Sequence, residues 1–270
     1  MLRAICSLLL LLIGSATQEV YGQQSSLEQR QPLELVFAES IVPQDRHEMM
    51  LVTGGWYFRQ SNLRTALLTQ KVEWGISDEF QVSILGNVIN SSNALGPMKT
   101  GIGDFEVGAR YTWARAGSEF THVALALDAG FPTGNPRLGL GEGSYSMSPS
   151  VLVSRELRKG TYQLFSTTGI EFIVKHRQLD LSQDAPRNTV FSNSGLASRV
   201  GHGWVVGEIS VSSNRWSGGS ETRSTLTPSY VWRLARRAEL LCGVPIGVTS
   251  STDRIGGLVK FTFELGGKPE

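Results

Sequence analysis

The sequence predicts an all-β protein, a closed antiparallel transmembrane β-barrel of about twelve strands, on three observations. Alternating apolar and polar residues recur from near Glu48 almost to the C-terminus, the connectors between these stretches are alternately short and long, and a secretory leader stands ahead of them. Alternation puts successive side chains on opposite faces of a strand, so each stretch presents one oily and one wet face. An even number of such strands, with tight turns at one rim and longer loops at the other, is the pattern of an outer-membrane barrel.

The leader has Arg3 as its charged region, an apolar core from Leu8 to Ile13, and small or polar residues up to Val20-Tyr21-Gly22. This is the layout of a signal peptide, with cleavage expected after Gly22 and a cut after Ala16 as the alternative. Its apolar core is far too short to cross a bilayer as a helix. Cys6 precedes that core, so it does not sit at a lipoprotein acylation site. Cys242 is then the single cysteine of the mature chain, and no intramolecular disulfide forms. Lys plus Arg number 25 against 24 Asp plus Glu, a net charge of +1, which offers no basic surface for nucleic acid. With no apolar run after the leader long enough for a transmembrane helix, a chain that crosses the membrane must do so as a closed sheet. An open edge would leave backbone groups unpaired in lipid.

The clearest strand runs from Val123 to Phe131, with Val123, Leu125, Leu127, Ala129 and Phe131 on one face and His122, Ala124, Ala126, Asp128 and Gly130 on the other. Phe80, Val82, Ile84, Gly86 and Val88 alternate in the same way, as do Phe105, Val107, Ala109, Tyr111 and Trp113. Near the C-terminus Leu240, Cys242, Val244, Ile246 and Val248 share a face, and Ile255, Val259, Phe261, Phe263 and Leu265 form the last one. Thr189 to Val200 is too rich in Ser and Asn to choose a face. Short connectors are expected at Ser77 to Glu79, Ala114 to Ser118, Glu156 to Gly160, Gly201-His202 and Arg236-Arg237. Longer ones are expected at Asn90 to Gly101, Pro132 to Ser144, Lys175 to Asn188 and Asn214 to Glu221.

Aromatic residues mark many strand ends, among them Trp56, Phe58, Trp74, Tyr111, Trp113, Tyr145, Phe172, Tyr230 and Trp232. Rings with a polar edge favour the headgroup level, so these read as two interfacial girdles. A soluble β-sandwich with aromatic core residues is the competing reading, and alternation alone does not separate the two. Leader, connector pattern and aromatic placement favour the barrel. The final strand, with Arg254, Gly256, Val259, Phe261 and Phe263 in order, resembles the terminal signal read by the outer-membrane assembly machinery, although Gly266 to Glu270 trail behind it.

Four further segments carry a family resemblance: Glu39-Ser40 through Val42-Pro43, Gly101-Ile102-Gly103-Asp104, Phe131-Pro132-Thr133-Gly134, and Gly243-Val244-Pro245-Ile246-Gly247. Together they resemble the outer-membrane family named for transport in the meta-pathway of phenol degradation. The resemblance implies an outer-membrane barrel passing small aromatic or other hydrophobic compounds, and it brings no site residues with it.

With the oily face outward, the lumen receives Lys71, Glu73, Asp104, Glu106, Arg110, His122, Asp128, Glu171, Lys175, Glu208, Arg233, Glu239, Lys260 and Glu264. Buried charges need partners, so a salt-bridged lumen that stiffens the barrel is the plain expectation. The sharper one makes Asp104, Glu106 and Arg110, on one face of one strand, a constriction that filters solutes. Catalysis is not expected, because no Gly-x-Ser-x-Gly elbow occurs and His122 and Asp128 are six residues apart on one strand. No His/Cys spacing suits zinc, Gly139 to Gly143 lacks the features of a phosphate cradle, and Asp180 and Asp184 lack those of a calcium loop. No cofactor is therefore expected. The expected organisation is a signal at 1–22, a periplasmic lead-in at 23–45, the barrel at 46–265 and a tail at 266–270. The expected role is passive passage of small solutes, hydrophobic or aromatic ones among them, with outer-membrane lipid as the surrounding partner. A closed structural or surface-interaction barrel is the alternative, and an outer-membrane enzyme the remote one.

Overall fold

The structure is a computed structural model that describes residues 32–41, 44–60, 63–93, 99–114, 121–158, 161–176, 187–216, 219–250, 252 and 255–266. The leader, the tail beyond 266 and the acidic loop positions Asp180 and Asp184 lie outside the described residues. In chain order the strands are β1 Met49–Gln60, β2 Leu63–Gly75, β3 Phe80–Asn93, β4 Lys99–Ile102, β5 Phe105–Ala114, β6 Thr121–Phe131 and β7 Ser144–Leu157. They continue with β8 Tyr162–His176, β9 Asn188–Val200, β10 Gly203–Trp216, β11 Gly219–Ala235, β12 Ala238–Gly243, β13 Ile246–Gly247 and β14 Ile255–Leu265. Each pairs antiparallel with its neighbour, and β1 closes on β14 from Met49 opposite Leu265 to Arg59 opposite Ile255. Because β4 and β5 share one stave along β3, and β12 and β13 share one between β11 and β14, the closed barrel has twelve staves. Closure removes the edge that lipid could not satisfy.

The two interruptions have local causes. Gly103 turns its α-carbon against Asn87, where a β-carbon would clash with the amide oxygen, and Asn87 donates to the Asp104 carbonyl at 3.1 Å, where the stave parts between Ile102 and Phe105. Pro245 has no N–H to give to the ladder, which breaks stave eleven between Gly243 and Ile246.

Facing follows the alternation. Leu125 and Leu127 are 46% and 43% exposed on the outer wall, whereas Ala124 and Ala126 are 0% and 7% exposed on the inner one. Cys242 faces outward with Leu240, opposite Tyr230 on β11 and the exposed Val259 on β14. A lipid-soluble maleimide is therefore expected to label Cys242 in the folded protein while a bulky water-soluble one does not. Rapid labelling by the aqueous reagent alone would contradict this register.

Several expectations are corrected. The connectors expected at Asn90 to Gly101 and Asn214 to Glu221 shrink to 94–98 and 217–218, because β3 pairs with β4, and β10 with β11, well past the apolar band. Ser and Asn side chains are no obstacle to backbone pairing once the strands rise into water. Trp56 and Phe58 do not join the outer girdle. They share the inner face with Met50 and Val52, and Trp56 packs against Phe37 at 5.6 Å and stacks on Phe58 at 5.8 Å. Lys175 faces outward and not into the lumen. Tyr145 pairs with Lys175 while Ser146 pairs with Ile173, so Val174 is an extra residue, a β-bulge that reverses the facing beyond it.

Of the lead-in expected at 23–45, residues 32–41 run inside the barrel, a course on which the sequence was silent. Its Leu35, Val36 and Ala38 join Phe165, Ala197, Trp204, Val206, Val231, Leu241 and Leu258 in a buried cluster. Ile41 packs with Ala124, Ala126 and Leu152, and Leu33 with Met50 and Val52. Burial of these apolar side chains against the inner wall, together with the polar contacts described next, favours the lumen over water.

Candidate functional site

The lumen has two storeys. In the one toward the short turns, barrel side chains hold the backbone of residues 32–41. Among the described residues, no backbone-to-backbone bond ties this strap to the barrel. Glu208 of β10 accepts three successive amides, from Val36 at 2.6 Å and from Phe37 and Ala38 at 2.9 Å each. Lys260 of β14 donates to the carbonyls of Leu35 at 2.6 Å and Val36 at 3.0 Å and to the Glu34 carboxylate at 3.1 Å. Glu239 of β12 accepts the Leu33 amide at 2.8 Å, and Asn193 of β9 donates to the Phe37 carbonyl at 3.1 Å. Arg110 of β5 donates to the Ser40 carbonyl and to Glu39 at 3.3 Å, and lies 3.6 Å from Glu73, which in turn pairs with Lys71 at 2.6 Å. Thr112 donates to the Ile41 carbonyl at 3.1 Å. Alternation along β2, β5, β9, β10, β12 and β14 aims all of these side chains inward. Hydrogen bonds to ionised groups are the stronger kind, and five carboxylates and three cations take part in this network.

The storey toward the longer connectors is open and acidic. A cavity of about 260 Å³ is walled by Asp104, Glu106, Glu142 and Glu171 together with Leu67, Leu85 and Ile89. Asp104 is also a loop anchor. It accepts the amides of Gly134 at 2.9 Å and Glu142 at 2.5 Å, and Thr133 donates to the neighbouring Gly103 carbonyl at 2.9 Å. The connector between β6 and β7 is thereby folded over the mouth, with a 3₁₀ turn at Pro136–Leu138 that Gly139 ends at φ 70° and with Leu140 buried beneath it. A left-handed residue at that position favours glycine.

Of the three residues expected to form one constriction, Asp104 and Glu106 line this cavity together. Arg110 does not join them, since it lies six residues beyond Asp104, about 20 Å away along an extended chain toward the short turns, and is taken up by the strap. His122 and Asp128 remain at separate levels of β6. Among the described residues, no group of three or more His, Cys, Asp and Glu side chains is arranged to hold a metal ion. Alternation alone places Glu208, Glu239 and Lys260 in the lumen. That they clamp a backbone had no signal in the sequence, because their partners lie far away along the chain.

No family model matches the chain, and no curated protein matches it. Among solved structures, the chain is similar to an outer-membrane channel from Pseudomonas putida F1. The identity is 8% and the TM-score 0.73, over 86% of this chain and 100% of that one. It is also similar to the NanC porin, with 13% identity and a TM-score of 0.56 over 80% of this chain and 100% of that one. At such identities the likeness is one of fold. Nothing in it ties the chain to the phenol meta-pathway family, and that resemblance rests on its four short segments alone. The fold is that of outer-membrane β-barrels of the channel and porin kind.

Proposed function

We propose that this chain is an outer-membrane channel for small solutes, exported by its signal peptide, in which residues 32–41 form the constriction. The observation that carries the reading is the strap itself. It crosses the lumen of a closed barrel, yet among the described residues side chains alone hold it, so it can leave without unpairing any stave. The acidic outer storey gives the passage a negative mouth, and its Leu67, Leu85 and Ile89 wall suits solutes with an apolar body. Liposome swelling and planar-bilayer conductance test the reading, and a purified barrel that passes neither ions nor small solutes overturns it. The filled lower storey favours a second reading, a closed structural or surface-interaction barrel, which predicts that null result.

Asp104 and Glu106 are the proposed charge filter of the mouth, because carboxylates in a narrow and poorly screened passage act strongly on what enters. Neutralising both as Asn and Gln is expected to shift ion preference toward anions, read as the reversal potential under a salt gradient. An unchanged reversal potential removes the pair as the filter. Replacing Asp104 alone also frees the amides of Gly134 and Glu142, so the single Glu106→Gln variant separates charge from loop loosening.

A further inference from the structure

We propose that the outer wall at β6–β8 carries a binding site for a phosphorylated acyl lipid of the outer leaflet, lipid A in chemical class, with Lys175 as its phosphate ligand. A groove of about 390 Å³ opens there on the lipid-facing side, lined by Ala129, Phe131, Tyr145, Met147, Val174 and Lys175. Its floor and sides are apolar and exposed, with Val174 62% exposed, and Phe131 meets Tyr145 edge-on at 6.2 Å. No carboxylate lines it. Strict alternation would have sent Lys175 into the lumen beside Glu171. The bulge at Val174 turns it onto the outer wall instead, at the rim where β8 ends and the aromatic residues stand.

An ammonium on an apolar, lipid-facing wall is costly unless it reaches the headgroup level and meets an anion there. The groove beneath it takes an acyl chain, and the ammonium above takes the phosphate. Lys175 lies at the rim of the longer connectors, the outward rim of such barrels, where the phosphorylated glycolipid is the abundant anionic amphiphile. Arg215, exposed at the end of β10 on the same rim, adds positive charge two strands away. The assignment to the outer leaflet rests on the outward placement of those connectors. An epitope inserted in the Pro132–Gly143 connector and detected on intact cells tests that placement separately.

The test is native mass spectrometry of the delipidated full-length barrel titrated with bisphosphorylated lipid A, its dephosphorylated form, and phosphatidylglycerol. Wild type is expected to retain one lipid A, and Lys175→Gln to bind it about tenfold more weakly, the effect of losing one charge-assisted contact. Lys175→Arg is expected to retain it, and both the dephosphorylated lipid and phosphatidylglycerol to bind more weakly than lipid A. Heat-modifiable migration on gels checks that each variant is folded, and Arg64→Gln, at another exposed position, serves as control. Equal lipid A binding by wild type and Lys175→Gln overturns the proposal. So does equal binding of lipid A and its dephosphorylated form, or of lipid A and phosphatidylglycerol.

Discussion

Replacing Glu208 with Ala is expected to release residues 32–41 from the lumen and raise the conductance of the barrel. Glu208 accepts three consecutive amides, at 2.6, 2.9 and 2.9 Å, so its loss leaves three donors, two of them buried, without that acceptor. A single bond to a charged group contributes about 1.5 to 3 kcal/mol, which alone changes the ratio of held to released strap by roughly ten- to a hundredfold. The three bonds share one carboxylate and do not simply add. Single-channel recording should show larger or longer openings, and limited proteolysis should cut within residues 32–41 of the variant and spare the wild type. Glu221→Ala, which removes an exposed ion pair with Arg223, is the matched control. If the variant conducts as wild type does and the strap stays protected, the strap is not the constriction.

The second large effect concerns the wall. Leu125→Arg is expected to destabilise the barrel by about 2 to 4 kcal/mol, the cost of a cation on the lipid face near the midplane. Leu125 pairs with Tyr111 on one side and Val151 on the other, in a band of exposed apolar residues that gives the guanidinium no partner. Arg at the adjacent Ala126 escapes the lipid cost and meets a different one. Ala126 packs with Ile41, Ala124 and Leu152, so the larger side chain must displace the strap. The two variants should therefore part by readout. Leu125→Arg lowers the denaturant midpoint of reversible folding into vesicles, whereas Ala126→Arg acts mainly on strap protection and conductance. Equal losses of folding stability at the two positions would count against the facing.

The sequence by itself determined the closed barrel, its stave number as about twelve, and the facing of the strands with clear alternation, such as β3, β5, β6 and β14. The physical reason is that facing is local: a residue and its second neighbour lie on one side, and lipid demands that one side be apolar. Leu125 against Ala126, and Val259 against Lys260, can be read from adjacent letters. Three things were decided only by the tertiary structure. The strap enters the lumen because Glu208, Glu239 and Lys260 meet a segment 170 to 226 residues away, and no local pattern encodes such a meeting. Lys175 moves from the lumen to the outer wall because one unpaired residue, Val174, is inserted opposite β7, and a bulge is visible only in the pairing. Arg110 parts from Asp104 and Glu106 because height in the barrel, which alternation does not report, sends it to the strap while they face the open mouth.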